Sequence, residues 1–296
     1  MIRYAVSMSA VGENLTEAWL PAFRNARIRN IEVIIRSFLG SDEQARTNLK
    51  LFRRMLEEEV IRIESSHLPF APSEEWEISL PEESRRKIVI DNIRKLADRH
   101  PCLFRKNLTV HPSLEPIREE ERQLRIRQAC RSIEDLLPLT EKLGLSLNVE
   151  FLPRTCIGNR EEDLLEITSK FKPEEIGICM DVNHAMGRYA ELPRIIETLA
   201  PRIRTFHLSD YDGVDERHWY IGQGLIDWRA VMQKIRAIDH DLLLIFETRC
   251  RLQGGDWGRP PADPSFALHQ AERDAFFLEN CHTILAGFDT FRVPGN

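Results

Sequence analysis

The sequence predicts an α/β protein built as a single (β/α)8 barrel spanning residues 1–296. Three observations predict it. Eight short apolar or β-branched runs alternate with longer amphipathic stretches, the pattern of a parallel sheet covered by helices. No Gly-rich strand-to-helix turn stands where a doubly wound dinucleotide-binding sheet, the competing architecture, would need one. Acidic or imidazole side chains close several of the runs, and barrels of this class gather their chemistry at the carboxyl ends of the strands.

The first strand is "RYAVSM" at 3–8, and "NIEVIIRSF" at 30–38 is the second, followed by the helical pattern "SDEQARTNLKLFRRMLEEE". "VIRIESSHL" at 60–68 is the third, closed by the proline of "SSHLPF" and followed by "PEESRRKIVIDNIRKLADRH". "NLTVHP" at 107–112 is the fourth, and the long helix after it stops on a lysine and Gly144. "SLNVEF" at 146–151, "GICMDV" at 177–182, "IRTFHLS" at 203–209 and "LLLIFET" at 242–248 complete the set. "DWRAVMQKIRAID" and "FALHQAERDAFFLENCHTIL" read as helices, and "RCRLQGGDWGRPPADPS" as a mouth loop or lid. Glu32, Arg36, Arg62 and Glu64 fall inside strands and read as internal ion pairs.

The net charge of −6 argues against a general electrostatic hold on nucleic acid or anionic membrane. No run approaches the ~18 apolar residues of a membrane span, and "MIRYAVSMSAVGENL" lacks the apolar core of a secretion signal. The six cysteines are scattered without a CxxC pair and read as reduced thiols, so a cytoplasmic location is expected. Self-association is left open.

Glu150 in "LNVEFLPR", Asp181 in "CMDVNH", His207 in "TFHLSDYD" and Glu247 in "IFETR" end the fifth to eighth strands. Burying a carboxylate is costly unless it is compensated, and one divalent cation compensates three such groups together. The competing reading for Glu150 and Glu247 is an ion pair with Arg154 or Arg249. Asp181 and His184 form D-x-x-H, which serves one site only if the strand ends near Asp181 and the chain turns; otherwise Asp181 caps that turn. His207 and Asp210 form H-x-x-D, followed by a polar loop carrying His218 and the glycines Gly222 and Gly224. These glycines allow the loop to return to the mouth. His67 and His111 end the third and fourth strands, either at the site or as neutral imidazoles within the barrel's upper layer. Trp19, Trp76, Trp219 and Trp257 fall near the mouth, as walls for a sugar or as packing.

Taken together, "SSHLPF", "TVHPS", "LNVEFLPR", "CMDVNH", "FHLSDYDGVDERHWYIGQGLIDW" and "IFETR" resemble the xylose isomerase-like TIM barrel superfamily, over nearly the whole chain. That group holds sugar-phosphate isomerases and epimerases together with endonuclease IV-type nucleases. The resemblance implies Glu150, Asp181, His207 and Glu247 as metal ligands, with Glu150 and Glu247 also as catalytic acid and base. In the nuclease branch His67, His111, His184, Glu216 and His218 fall where further zinc ligands stand, Glu216 replacing an aspartate. Gly213 takes about the place where ketose 3-epimerases carry an arginine, and "EFLPR" and "DVNH" depart from the nuclease pattern.

The expected function is therefore a metal-dependent sugar or sugar-phosphate isomerase or epimerase working through an enediolate on a small polyhydroxylated carbonyl substrate. The alternative is a multi-zinc phosphodiesterase acting on abasic DNA. The cation is expected to be Mn2+ or Zn2+, with Mg2+ or Co2+ as further options. Loops 9–20, 68–83, 211–224 and 249–265 are expected to choose the substrate.

Overall fold

Eight parallel strands close on themselves in chain order, the last returning to the first. They are β1 (Ile2–Ser7), β2 (Asn30–Ile34), β3 (Arg62–His67), β4 (Asn107–Val110), β5 (Ser146–Glu150), β6 (Ile176–Asp181), β7 (Ile203–Leu208) and β8 (Leu242–Phe246). The helices are α1 (Met8–Val11), α2 (Trp19–Asn25), α3 (Glu43–Glu57), α4 (Glu83–Arg99), α5 (Arg122–Leu143), α6 (Glu161–Thr168), α7 (Leu192–Leu199), α8 (Trp228–Arg236) and α9 (Pro264–Asp289). This computed structural model describes residues 1–40, 43–70, 74–251 and 258–289. Among them no helix is long and apolar enough to cross a membrane.

Strand alternation decides which residues meet the helices. Leu108, Val110, Leu147, Val149, Ile178, Met180, Phe206, Leu208, Leu244 and Phe246 belong to one buried apolar cluster with Ile126, Ala129, Ile133 and Leu136 of α5 and Ile195, Ile196 and Leu199 of α7. The helical positions recur every three or four residues, the period of one helix face. Each such large side chain removed from water contributes roughly 1.5–3 kcal/mol. Gly144 ends α5 at φ 64, a left-handed conformation that favours glycine.

The intervening strand residues take the opposite face, toward the barrel axis. Ala5, Leu243 and Ile245 form a separate small apolar cluster there. Thr109, Asn148, Cys179, Thr205 and His207 are buried on the same alternation, so the barrel interior turns polar.

Two register shifts matter for the site. Between Ile178 and Cys179 the β6–β7 ladder slips, which brings Asp181 directly opposite His207. A second shift between Ile31 and Glu32 sets Glu32 opposite Ser65.

Most expected strand bounds hold within two residues. The second strand ends early, because Ile35–Phe38 turns into a 3-10 helix. Of the four charged strand residues, Glu64 does form an ion pair, with Arg3 and Lys106. Arg36 lies past the strand and pairs with Glu13 at the surface, and Arg62 is exposed. Among the described residues Glu32 makes no ion pair with an arginine or lysine; it hydrogen-bonds a histidine instead.

Candidate metal centre

Four separate strands deliver the four principal side chains to one point. Glu150 ends β5, Asp181 ends β6, His207 stands one residue before the end of β7, and Glu247 follows β8 by one residue. His207 Nδ1 lies 3.1 Å from Glu150 Oε1, 3.3 Å from Glu247 Oε2 and 3.9 Å from Asp181 Oδ2. Glu150, Asp181 and His207 are all within 1% of complete burial. Among the described residues no arginine or lysine lies within ion-pair distance of Glu150 or Glu247. Arg154 is engaged by Glu115, Asp215 and Glu216 instead.

Asp181 gives the sharpest test of whether these residues fit a cation. The strand ends at Asp181 and the chain turns into a 3-10 segment, Val182–Glu191. Asp181 Oδ1 accepts the Asn183 N–H at 2.7 Å, so the capping role is real. Its Oδ2 is buried with no hydrogen-bond partner. The same turn brings His184 Nε2 to 3.4 Å from that oxygen. An orphaned buried carboxylate oxygen is costly, and a divalent cation satisfies it. Carboxylate oxygens with imidazole nitrogens form a donor set that suits Mn2+ or Zn2+.

The other five candidates join the same cluster. His67 Nε2 and His111 Nε2 each lie 3.0 Å from Glu150 Oε2. His184 Nε2 is 3.6 Å and His218 Nε2 3.8 Å from Glu216 Oε2. Ligand atoms of His67, Glu150 and His207 lie within 4.8 Å of one another, as do those of Asp181, His184 and His218, and of Asp181, His207 and Glu247.

Most of these imidazoles are fixed from behind. His67 Nδ1 donates to the Leu68 carbonyl and His184 Nδ1 to the Phe151 carbonyl, both at 2.8 Å. His218 Nδ1 lies 3.2 Å from the Glu247 carbonyl. Such a bond sets the tautomer, so that Nε2 would be the nitrogen to offer a lone pair to a cation. His207 is held the other way round: Nε2 donates to Glu32 Oε1 at 3.0 Å, and Ser65 Oγ donates to the same oxygen. Glu32, which the sequence suggests only as part of an internal ion pair, is the buried carboxylate behind His207, and nothing local in the sequence separates it from Glu64.

Burial pushes the Asp181 carboxyl up to about 6, with Glu247 adding to the effect and nearby imidazoles opposing it. Burial opposes ionisation of Glu150, yet His111 and His207 hold it well below the carboxylate range. Glu247 is held at about 2 by His207 and His218, against its burial. Burial would keep His184 neutral, but Asp181 and Glu216 raise it to about 10. His207 is raised well above its ordinary value by Cys179, Glu32, Glu150 and Glu247, again against burial. A cation held by these residues would displace imidazolium protons.

The loop after β7 is shaped by Asp210, which therefore has a structural role. Its Oδ2 accepts from Gly222 N–H and Trp228 Nε1, and its Oδ1 from Tyr211 and Ile226 N–H. Gly224 is required by proximity: a Cβ there would lie 2.1 Å from the Tyr211 carbonyl oxygen. The loop carries His218 to the cluster at φ 53. A cavity of about 230 Å³ opens over the cluster, reached by His67, His111, Glu150, His184 and Glu247, with Phe70 as its aromatic wall. Among the described residues no tryptophan lines it. Trp19 and Trp219 are buried in packing, Trp76 packs against the core, and Trp257 lies outside the described residues.

The family described as xylose isomerase-like TIM barrel matches residues 28–271. Protein MJ1311 of Methanocaldococcus jannaschii, uncharacterized, is 26% identical over 193 residues, 64% of this chain and 66% of that protein. MJ1614 of the same organism, also uncharacterized, is 21% identical over 57% of this chain and 65% of its own length. Among solved structures, a D-tagatose 3-epimerase-like protein superposes with a TM-score of 0.72 at 20% identity, covering 95% of this chain and 100% of its own. L-ribulose 3-epimerase gives 0.71 at 14% identity over 99% and 100%. The IOLI protein with a bound zinc atom gives 0.68 at 15% identity over 94% and 98%. These likenesses establish the barrel, and with the match over most of the sequence the chain belongs to the xylose isomerase-like TIM barrel family.

Proposed function

We propose that the protein is a metal-dependent isomerase or epimerase of a sugar or sugar phosphate, a small polyhydroxylated carbonyl compound. The observation that carries this reading is a pair of carboxylates reaching one imidazole nitrogen from different strands. Glu150 comes from β5 and Glu247 from beyond β8, at 3.1 and 3.3 Å from His207 Nδ1, and both border the cavity. The epimerases and the zinc-bound protein among the structural neighbours support it. Glu150, Asp181, His207 and Glu247 would hold the cation, which when bound supplies polarisation of a substrate carbonyl and so acidifies the adjacent C–H.

The chain's own groups then move the proton. Glu247 is the more accessible carboxylate, its side chain 15% exposed against 2% for Glu150. Ser9 Oγ donates to Glu247 Oε1 at 3.0 Å and orients the other oxygen. Glu247 takes a proton from the carbon beside the carbonyl, and Glu150, supplied with a proton by the His67 imidazolium 3.0 Å from its Oε2, returns one from the opposite side. His184, anchored through Nδ1, holds a substrate oxygen. The enzyme works in the cytoplasm without a nucleic-acid partner. Glu247→Gln, assayed on a panel of ketoses and their phosphates, is expected to lower turnover by about 10²–10⁴ with the fold intact. Full activity in that variant would overturn the assignment.

A second reading has its own observation. His67 and His111 crowd Glu150 Oε2, while His184, His218 and Glu216 make a further cluster around Asp181. Donors in such number suit a multi-zinc phosphodiesterase, such as one acting on abasic DNA. Metal counting separates the two. One cation per chain supports the isomerase, and about three tightly held zincs support the phosphodiesterase.

A further inference from the structure

Two arginines border the cavity, and they differ in one respect. Arg154 is saturated by Glu115, Asp215 and Glu216. Arg249 has no carboxylate within ion-pair distance among the described residues, and its Nε is buried without a hydrogen-bond partner. Glu13 feels the field of Arg249, but Arg36 already engages both Glu13 carboxylate oxygens, at 3.0 and 2.6 Å. Glu247, two residues away, is committed to His207 and the candidate centre. Once Glu247 serves a cation, the guanidinium of Arg249 is a positive charge at the cavity wall without a carboxylate partner among the described residues.

Arg249 is also held in place. Its N–H donates to the His218 carbonyl, it pairs with Trp219, and Gly258 packs so closely that a Cβ there would lie 2.6 Å from the Arg249 Cβ. Its backbone is thus anchored, and a guanidinium with open donors matches the two oxygens of a phosphate or carboxylate. The segment after the eighth strand is also where barrels of this class commonly seat a phosphate group. We infer that Arg249 forms an anion subsite of the cavity, so that the substrate carries a phosphate or carboxylate group. This deepens the proposed function and rests on reading the cavity as the substrate site.

Calorimetric titration of the metal-loaded protein with inorganic phosphate, D-glycerate and glycerol, at constant ionic strength, tests it. Phosphate, glycerate or both are expected to bind saturably. Arg249→Gln is expected to weaken that binding by about tenfold or more, and Arg249→Lys by less. Glycerol should not distinguish the variants, and the anion that shows the loss identifies the group. Saturable binding of neither anion to the wild type overturns the inference. So does equal affinity in Arg249→Gln, the pattern of an anion held by the cation alone. Melting curves and metal content of each variant confirm an intact site. Because the Glu247→Gln turnover assay and the metal count do not depend on Arg249, failure here stays separate from failure of the isomerase reading.

Discussion

Asp181→Asn separates a metal ligand from a merely structural aspartate, because its effect changes sign with the cation. In the metal-free protein burial raises the Asp181 carboxyl from 3.8 to about 6. Holding it ionised in the fold therefore costs roughly 3 kcal/mol. A carboxyl raised in the folded state supports stability below 3.8, and that support is lost as pH rises through about 6. Asparagine keeps the acceptor for the Asn183 N–H and removes the charge. In chelator at pH 7.5 the variant is expected to melt above the wild type, with the gap closing toward pH 4. Cation reverses the order. At about 1,000 times its Kd a ligand adds roughly 4 kcal/mol to the state that binds it, and Asp181→Asn should gain little of this. Thermal melts with EDTA and with Mn2+ or Zn2+, at two pH values, give the comparison. If the variant gains as much from cation as the wild type, the placement of Asp181 at a cation is wrong.

Glu32→Gln should keep the fold but loosen His207, lowering cation affinity by about 10–100-fold and altering the visible spectrum of a Co2+-loaded sample; unchanged affinity and spectrum would show Glu32 to be packing alone. Gly224→Ala meets the Tyr211 carbonyl and should cost about 1–3 kcal/mol in denaturant unfolding, whereas Gly187→Ala, with open space around it, should stay within about 0.5 kcal/mol. Equal melting of these two glycine variants would contradict the role given to the loop after β7.

The barrel was legible because strand and helix periods alternate cleanly, and because strand-end placement is a positional rule independent of residue type. That rule found Glu150, Asp181, His207 and Glu247 and brought in His67 and His111. It fails for Glu32, whose importance comes from a shifted β2–β3 register and a partner 175 residues away. It also fails for arginines. Arg154 and Arg249 stand alike in the sequence, and three-dimensional pairing alone shows one saturated and the other not. Of the two readings of Trp19, sugar wall or packing, the fold gives packing: it opens the short helix α2, which has too few turns to show a periodic face, and it packs on Phe23. The loops at 71–73 and 252–257, inside segments expected to choose the substrate, lie outside the described residues.

Anomalous diffraction from crystals soaked in Mn2+ or Zn2+ probes the shared-ion idea most directly. A peak about 2.0–2.3 Å from oxygens of Glu150, Asp181 and Glu247 and from the His207 ring is expected. Full occupancy of cations elsewhere on the chain, with those four side chains bare, would contradict it.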